Sequence, residues 1–231
     1  MTLGAVADIH GNFEALAGAM RRHPDVTLWI CVGDLASRTG AYPTPPAPLY
    51  WIKGNNEDFD RIAEFESGED SISNLHYIPN GTAARVGPVT VAGLGGTFAP
   101  TWFDTPASAL PHKPRDDKRR HFVQEEVAAL KQLAAAGKAV DILMTHEAAR
   151  PFILVDEPVA GARPRRRDAG KPAINDVLAT LQPRLHLCGH HHRFVTTTRE
   201  GVPSVCIDRI NRSYLLIDAT TLEYEKIDQP E

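Results

Sequence analysis

Seven side chains able to bind a divalent metal each stand just behind a short apolar run of this 231-residue chain. They are Asp8 and His10, Asp34, Asn55, His146, and His190 with His192. The runs that precede them are LGAVA (3–7), VTLWICV (26–32), LYWIK (49–53), VDILMT (140–145) and RLHLC (184–188). Carboxylate, imidazole and amide-oxygen donors suit first-row transition ions. Two carboxylates, four imidazoles and one amide exceed what a single ion uses, so the inventory fits two ions sharing a bridging carboxylate.

Side chains this far apart in sequence can meet only if the runs are neighbouring strands. Short apolar runs of this kind read as strands buried on both faces of a sheet. Open α/β sheets build their sites beyond the carboxyl ends of such strands. Between the first two runs, FEALAGAMRR (13–22) has helical spacing, with Asn12 placed to cap it. The spacing predicts further helices over 122–135, ended by Gly137, and near 173–181. YPTPPAP (42–48) cannot be helical and reads as an extended loop. Strands are expected over 75–78 and 89–93, separated by the turn signal Pro79-Asn80-Gly81. Three alternating stretches, FVTTT, VPSVCI and SYLLID, read as antiparallel strands. Segments 97–120 and 148–172 lack periodicity and read as surface loops. Strands alternating with helices, then a run of strands, predict a layered α/β fold with mixed sheets, in one domain over 1–231.

Composition narrows the classes. With 42% hydrophobic and 23% charged residues the chain is an ordinary globular sequence, neither disordered nor fibrous. A net charge of −4 argues against a protein that coats nucleic acid by charge alone. The start MTLGAVADIHGN has no basic region followed by a long apolar stretch, and no segment approaches a membrane span. Cys31, Cys188 and Cys206 form no CxxC pair, which fits a reducing, cytoplasmic setting.

The series Asp8-Ile9-His10-Gly11-Asn12, Gly33-Asp34, Gly54-Asn55-Asn56-Glu57, His146 and Gly189-His190-His191-His192 resembles the five blocks of calcineurin-like metallophosphoesterases, in order and each after a strand. The resemblance implies a four-layer α/β/β/α sandwich of two mixed β-sheets. It implies a two-metal centre of Mn2+, Fe2+ or Zn2+ ions, with Asp8, His10, Asp34 and His192 on one and Asp34, Asn55, His146 and His190 on the other. Such a centre hydrolyses a phosphate ester by a hydroxide bridging the two ions, so no protein nucleophile is needed. Asp34, Asn55 and Asn56 are the catalytic candidates on this match.

A narrower stretch, Leu75 to Phe98 with the helix HFVQEEVAALKQL and the strand VDILMTHE, is similar to the catalytic domain of RNA lariat debranching enzymes. That family usually carries cysteine at the position of Asp8 and continues into a longer C-terminal region. Many calcineurin-like members have histidine at the position of Asn56, where it protonates the leaving oxygen, and aspartate at the position of Ser37. Losing that acid removes a contribution typically worth ~10²–10⁴-fold, which turns the expectation towards phosphodiesters. A phosphomonoesterase or nucleoside-polyphosphate hydrolase, a debranching-type nuclease, and a scaffold with a decayed site remain as alternatives. The expected partner is a phosphate ester, with nucleotides or RNA among the candidates; no membrane or obligate protein partner is implied.

Substrate contacts are assigned to Asn12, Arg38 and Arg165. Asn12 serves equally well as a helix cap, and Arg38 stands where some family members use arginine on phosphate. Arg165 belongs to the basic run Arg163–Arg167, and Lys113, Arg115, Lys118, Arg119 and Arg120 form a second basic group. His191, between two ligands, points the other way on an extended segment and is read as structural.

Overall fold

In the computed structural model, which describes residues 1–113, 116–152 and 170–230, the first strand buries both of its faces. In β1 (Thr2–Val6), Leu3 and Ala5 enter one apolar cluster while Val6 enters another. The same alternation recurs in β2 (Leu28–Cys31), where Ile30 faces the first cluster and Trp29 and Cys31 the second. A run that is apolar throughout therefore still obeys the period of two.

The chain opens as β1, α1 (Phe13–Arg22), β2, β3 (Leu49–Trp51), α2 (Phe59–Ser67) and β4 (Leu75–Tyr77). There follow β5 (Ala83–Val86), β6 (Val89–Leu94), β7 (Thr97–Phe98), β8 (His112–Lys113), β9 (Asp116–Asp117), β10 (His121–Phe122) and α3 (Gln124–Ala135). The rest comprises β11 (Ile142–Thr145), α4 (Pro172–Leu181), β12 (Leu185–Cys188), β13 (Val195–Arg199), β14 (Val202–Cys206), β15 (Ser213–Asp218) and β16 (Tyr224–Asp228). One six-stranded sheet has the order β16-β15-β1-β2-β3-β4, the other β13-β14-β12-β11-β6-β5. In the first sheet β1 to β4 run parallel out to one edge and β15 pairs antiparallel with both β1 and β16; in the second, β14, β12, β11 and β6 run parallel between the antiparallel edge strands β13 and β5.

Leu3, Ile30, Ile52, Val91, Met144 and Leu187 meet between the two sheets. Leu16 and Met20 of α1 and Ile62 of α2 cover the outer face of the first sheet against Trp29 and Trp51. Leu130 of α3 and Ile174 and Leu178 of α4 cover the second against Ala92 and Leu143. The result is the four-layer α/β/β/α sandwich.

Several local expectations change. Helix α2 was not foreseen; Asp58 caps it by accepting from the Asp60 and Arg61 N–H groups, and Gly68 ends it in the left-handed region. Strands β5 and β16 are additional, and Pro79–Gly81 carries the chain from one sheet to the other rather than around a hairpin. Segment 97–120 is not a plain loop, since it holds β7 and the β8–β9 pair. Helix α3 starts at Gln124 rather than 122 because Phe122 pairs with Phe98 in a short parallel ladder. Residues 153–169, with the Arg163–Arg167 run, and Arg115 lie outside the described residues. Among the described residues no helix is long and apolar enough to cross a membrane.

Candidate metal centre

Parallel β1, β2 and β3 end together in the first sheet, and β11 and β12 end together in the second. The loops beyond those ends bring Asp8, His10, Asp34 and His192 to one point, one oxygen or nitrogen of each lying within 4.8 Å of all the others. His10 Nε2 is 3.1 Å from His192 Nε2 and 3.6 Å from Asp34 Oδ2. His192 Nε2 is 3.5 Å from Asp8 Oδ1. Donors about 2.1 Å from one ion stand about 3.0–3.4 Å apart along the edges of an octahedron or tetrahedron, so this set fits a divalent metal. Asp8 Oδ1 is buried and finds no hydrogen-bond donor among the described residues, the condition of a carboxylate oxygen meant for a cation.

The second group adjoins the first through Asp34. Asp34 Oδ1 lies 3.5 Å from His146 Nε2, which is 3.0 Å from Asn55 Oδ1. His146 Nδ1 bonds to the Val32 carbonyl at 2.8 Å across the sheets, which fixes the ring and leaves Nε2 facing Asn55 and Asp34. The His190 ring packs edge-on to that of His146, 5.0 Å between centroids, with its Nε2 3.8 Å from Glu147 Oε1.

The backbone of this site is strained. Asp8, His10, Asp34, His190 and His192 all have φ between 48° and 66°, a left-handed conformation costing on the order of 1 kcal/mol or more each outside glycine. Two glycines allow the close approach. A Cβ at Gly54 would stand 2.0 Å from Asp34 Oδ1, and one at Gly33 (φ 101°) would stand 2.7 Å from His146 Nδ1.

The charges are coupled. Burial opposes charging of His146, but Asp34 beside it, with help from Asp8 and the Val32 carbonyl, raises its pKa to about 10. Burial would raise the Asp34 carboxyl; the His146 charge and the donors on Asp34 hold it below the usual carboxylate range instead. Burial and the charge of His146 push His190 down to about 4. Burial also lowers His10.

A cleft of about 890 Å³ opens beside the cluster, lined by His10, His192, Asn55, Asn56, Arg38 and Arg209 among others. Asn56 turns its side chain onto Asp34, 2.7 Å from Nδ2 to Oδ2, so it positions a candidate ligand. Arg38 lines the cleft. Asn12 Oδ1 accepts from the Ala15 N–H as the cap of α1, so its side chain is committed to the helix. Arg165 falls in the undescribed segment. Arg119 and Arg120 reach the cleft but are paired, Arg119 with Asp117 and Asp60 and Arg120 with Asp116. His191 stacks on Phe152 at 4.2 Å and meets the His190 ring edge-on at 5.1 Å.

Two buttresses were missed from the sequence. Glu57 accepts the N–H groups of Leu35, Ala36 and Gly54 and the Tyr42 hydroxyl, tying the Asp34 loop to the Asn55 loop. Its place in Gly54-Asn55-Asn56-Glu57 was the available signal. Glu147 accepts from the Phe98 N–H and pairs with Lys171 at 3.2 Å beside His190. Nothing but its adjacency to His146 marked it.

The chain is 24% identical over 197 residues to a lariat debranching enzyme of Schizosaccharomyces pombe, covering 80% of this chain and 42% of that protein. It thus spans about two fifths of the length of that curated relative. The fold is shared with the protein TT1561 of Thermus thermophilus, at a TM-score of 0.66 and 15% identity over 98% of both chains. It is shared also with a putative 5'-nucleotidase from Staphylococcus aureus, at a TM-score of 0.55 and 13% identity over 100% of this chain and 54% of that one. The family model described as calcineurin-like phosphoesterase matches residues 1–194. With that match over most of its length, the chain belongs to the calcineurin-like phosphoesterase family.

Proposed function

We propose that this chain works as a single-domain, metal-dependent phosphodiesterase with two divalent ions. Asp8, His10, Asp34 and His192 would hold one, and Asp34, Asn55, His146 and His190 the other. The observation that carries the reading is Asp34, which directs Oδ2 towards His10 at 3.6 Å and Oδ1 towards His146 at 3.5 Å, one oxygen to each group. Ions held there supply Lewis acidity to the ester and lower the pKa of water towards neutrality. Asn56 keeps the Asp34 oxygens aimed, and Glu57 locks the two loops that carry Asp34 and Asn55.

The preference for diesters rests on Asn56. Its amide has no ionisable proton and is engaged with Asp34, so it offers no acid to a leaving oxygen. A diester with an adequate leaving group tolerates that loss better than an alkyl monoester. The likeness to a lariat debranching enzyme favours a nucleotide or RNA ester within this class. Three free, buried cysteines fit a reducing, cytoplasmic setting.

The test is a metal-by-substrate matrix. Chelator-stripped protein, reloaded with Mn2+, Fe2+ or Zn2+, is assayed on bis(nitrophenyl) phosphate and nitrophenyl phosphate, with Asp34→Asn alongside. Metal-dependent diester turnover that falls at least about 10³-fold in Asp34→Asn is expected. Activity that survives Asp34→Asn, or a preference for the monoester, overturns the reading.

A further inference from the structure

The crossover from the second sheet to the first, residues 207–212, passes directly over the site. The Ile207 N–H donates to the Cys188 carbonyl at 2.8 Å, just before Gly189-His190. The Ile210 N–H donates to the Ala7 carbonyl at 3.1 Å, just before Asp8. The two residues between these anchors are Asp208 and Arg209, and their backbone is tied to both ligand-bearing strand ends. The Arg209 carbonyl accepts the N–H groups of Arg212 and Ser213, which closes the turn.

The side chains of this turn divide their work. Asp208 pairs with Arg212 at 3.6 Å. Arg209 is left over: its guanidinium has no ion pair or hydrogen bond among the described residues, and its Nε is buried without an acceptor. A buried guanidinium N–H costs free energy when unpaired, so one left so in a rigid turn needs an external acceptor. Arg209 lines the cleft with His10 and His192. The neighbouring arginines Arg119 and Arg120 are already neutralised by carboxylates.

We infer that Arg209 is a substrate-binding residue, whose Nε and Nη donors take phosphate oxygens of the ester at the His10–His192 end of the cleft. A guanidinium presents parallel N–H groups in a fork that matches two oxygens of one phosphate. The inference rests on the reading that the cleft receives a phosphate ester, and it adds the residue that grips that ester from the side of the crossover turn.

The test uses the whole chain with Mn2+, as wild type, Arg209→Ala, Arg209→Gln and Arg209→Lys. Inorganic phosphate affinity is measured by calorimetry, and kcat and KM on bis(nitrophenyl) phosphate separately. Losing a charge-assisted bond should weaken phosphate binding and raise KM by about 10–100-fold in Arg209→Ala and Arg209→Gln. Arg209→Lys should recover part of the loss, with Mn2+ content and melting temperature unchanged. Phosphate affinity and KM that stay within about twofold of wild type in a folded variant overturn the inference. The same result follows if a lowered melting temperature accounts for the whole loss and Arg209→Lys recovers nothing. If wild type turns over no phosphate ester yet binds phosphate in an Arg209-dependent way, the enzymatic reading fails while the assignment of Arg209 stands.

Discussion

Asn56 donates twice to Asp34, from its backbone N–H to Oδ1 at 2.8 Å and from its side-chain amide to Oδ2 at 2.7 Å. A residue that family resemblance places at the leaving group is thereby made the support of a candidate ligand. Asn56→Ala keeps the backbone bond and loses the other, so metal affinity and activity should each fall about 10–100-fold. Titration with Mn2+ and a diester assay check this; unchanged metal affinity would detach Asn56 from the site. Asn56→His restores a proton donor, and should raise turnover of alkyl diesters relative to nitrophenyl diesters. An equal change in both would show that the missing acid is not what limits the enzyme.

Metal should stabilise the fold. Mn2+ at about a hundred times its dissociation constant adds about 2.7 kcal/mol, or about 5–10 °C in melting temperature for a chain of this length. Asp8→Asn should lose that shift. In chelator it should still fold, because the amide oxygen of Asn can accept the His190 N–H that Asp8 Oδ2 accepts at 2.9 Å. A full Mn2+ shift in Asp8→Asn would remove Asp8 from the ligand set.

Gly54→Ala should damage both stability and metal binding. The added Cβ would meet Asp34 Oδ1 at 2.0 Å and Asp34 N at 2.2 Å, and both belong to the strained ligand turn. Overpacking of this kind costs about 1–3 kcal/mol or more. Differential scanning calorimetry with metal analysis reads both effects. A variant with normal Mn2+ content would mean that the turn can yield.

Acid should weaken the fold through His186. Burial, and then the Arg199 charge, lower its pKa to about 3, and its ring bonds to Thr145 Oγ1 at 2.8 Å and Ser204 Oγ at 3.1 Å. The folded protein keeps this ring neutral while the unfolded chain takes up a proton below about 6.5. Its contribution is therefore complete above pH 6.5 and is lost as pH falls towards 3, about 2 kcal/mol of it between pH 7.5 and 5. Urea denaturation at the two pH values, compared with His186→Gln, isolates the effect. Equal pH dependence in the two proteins would remove His186 as its source.

The clustering of the candidate ligands was legible in sequence because each directly follows an apolar run, and runs of that length become parallel strands whose carboxyl ends lie side by side. Asp8, His10, Asp34 and His192 are drawn together by strand order alone. The layered fold was legible for the same reason. Local periodicity did not reveal α2, whose nine residues depend on the Asp58 cap and on packing Phe59 and Ile62 against the sheet. It could not reveal that Pro79–Gly81 changes sheets, because a turn signal does not say which strand comes next. The occupation of each side chain was a tertiary decision. Asn12 went to a helix cap, Asn56 to Asp34 and Glu57 to three backbone N–H groups, since a polar side chain bonds to the partner that folding brings within reach. Arg209 emerged only in three dimensions: its turn is held by the Ala7 and Cys188 carbonyls from opposite ends of the chain, and one-dimensional spacing carries no trace of that.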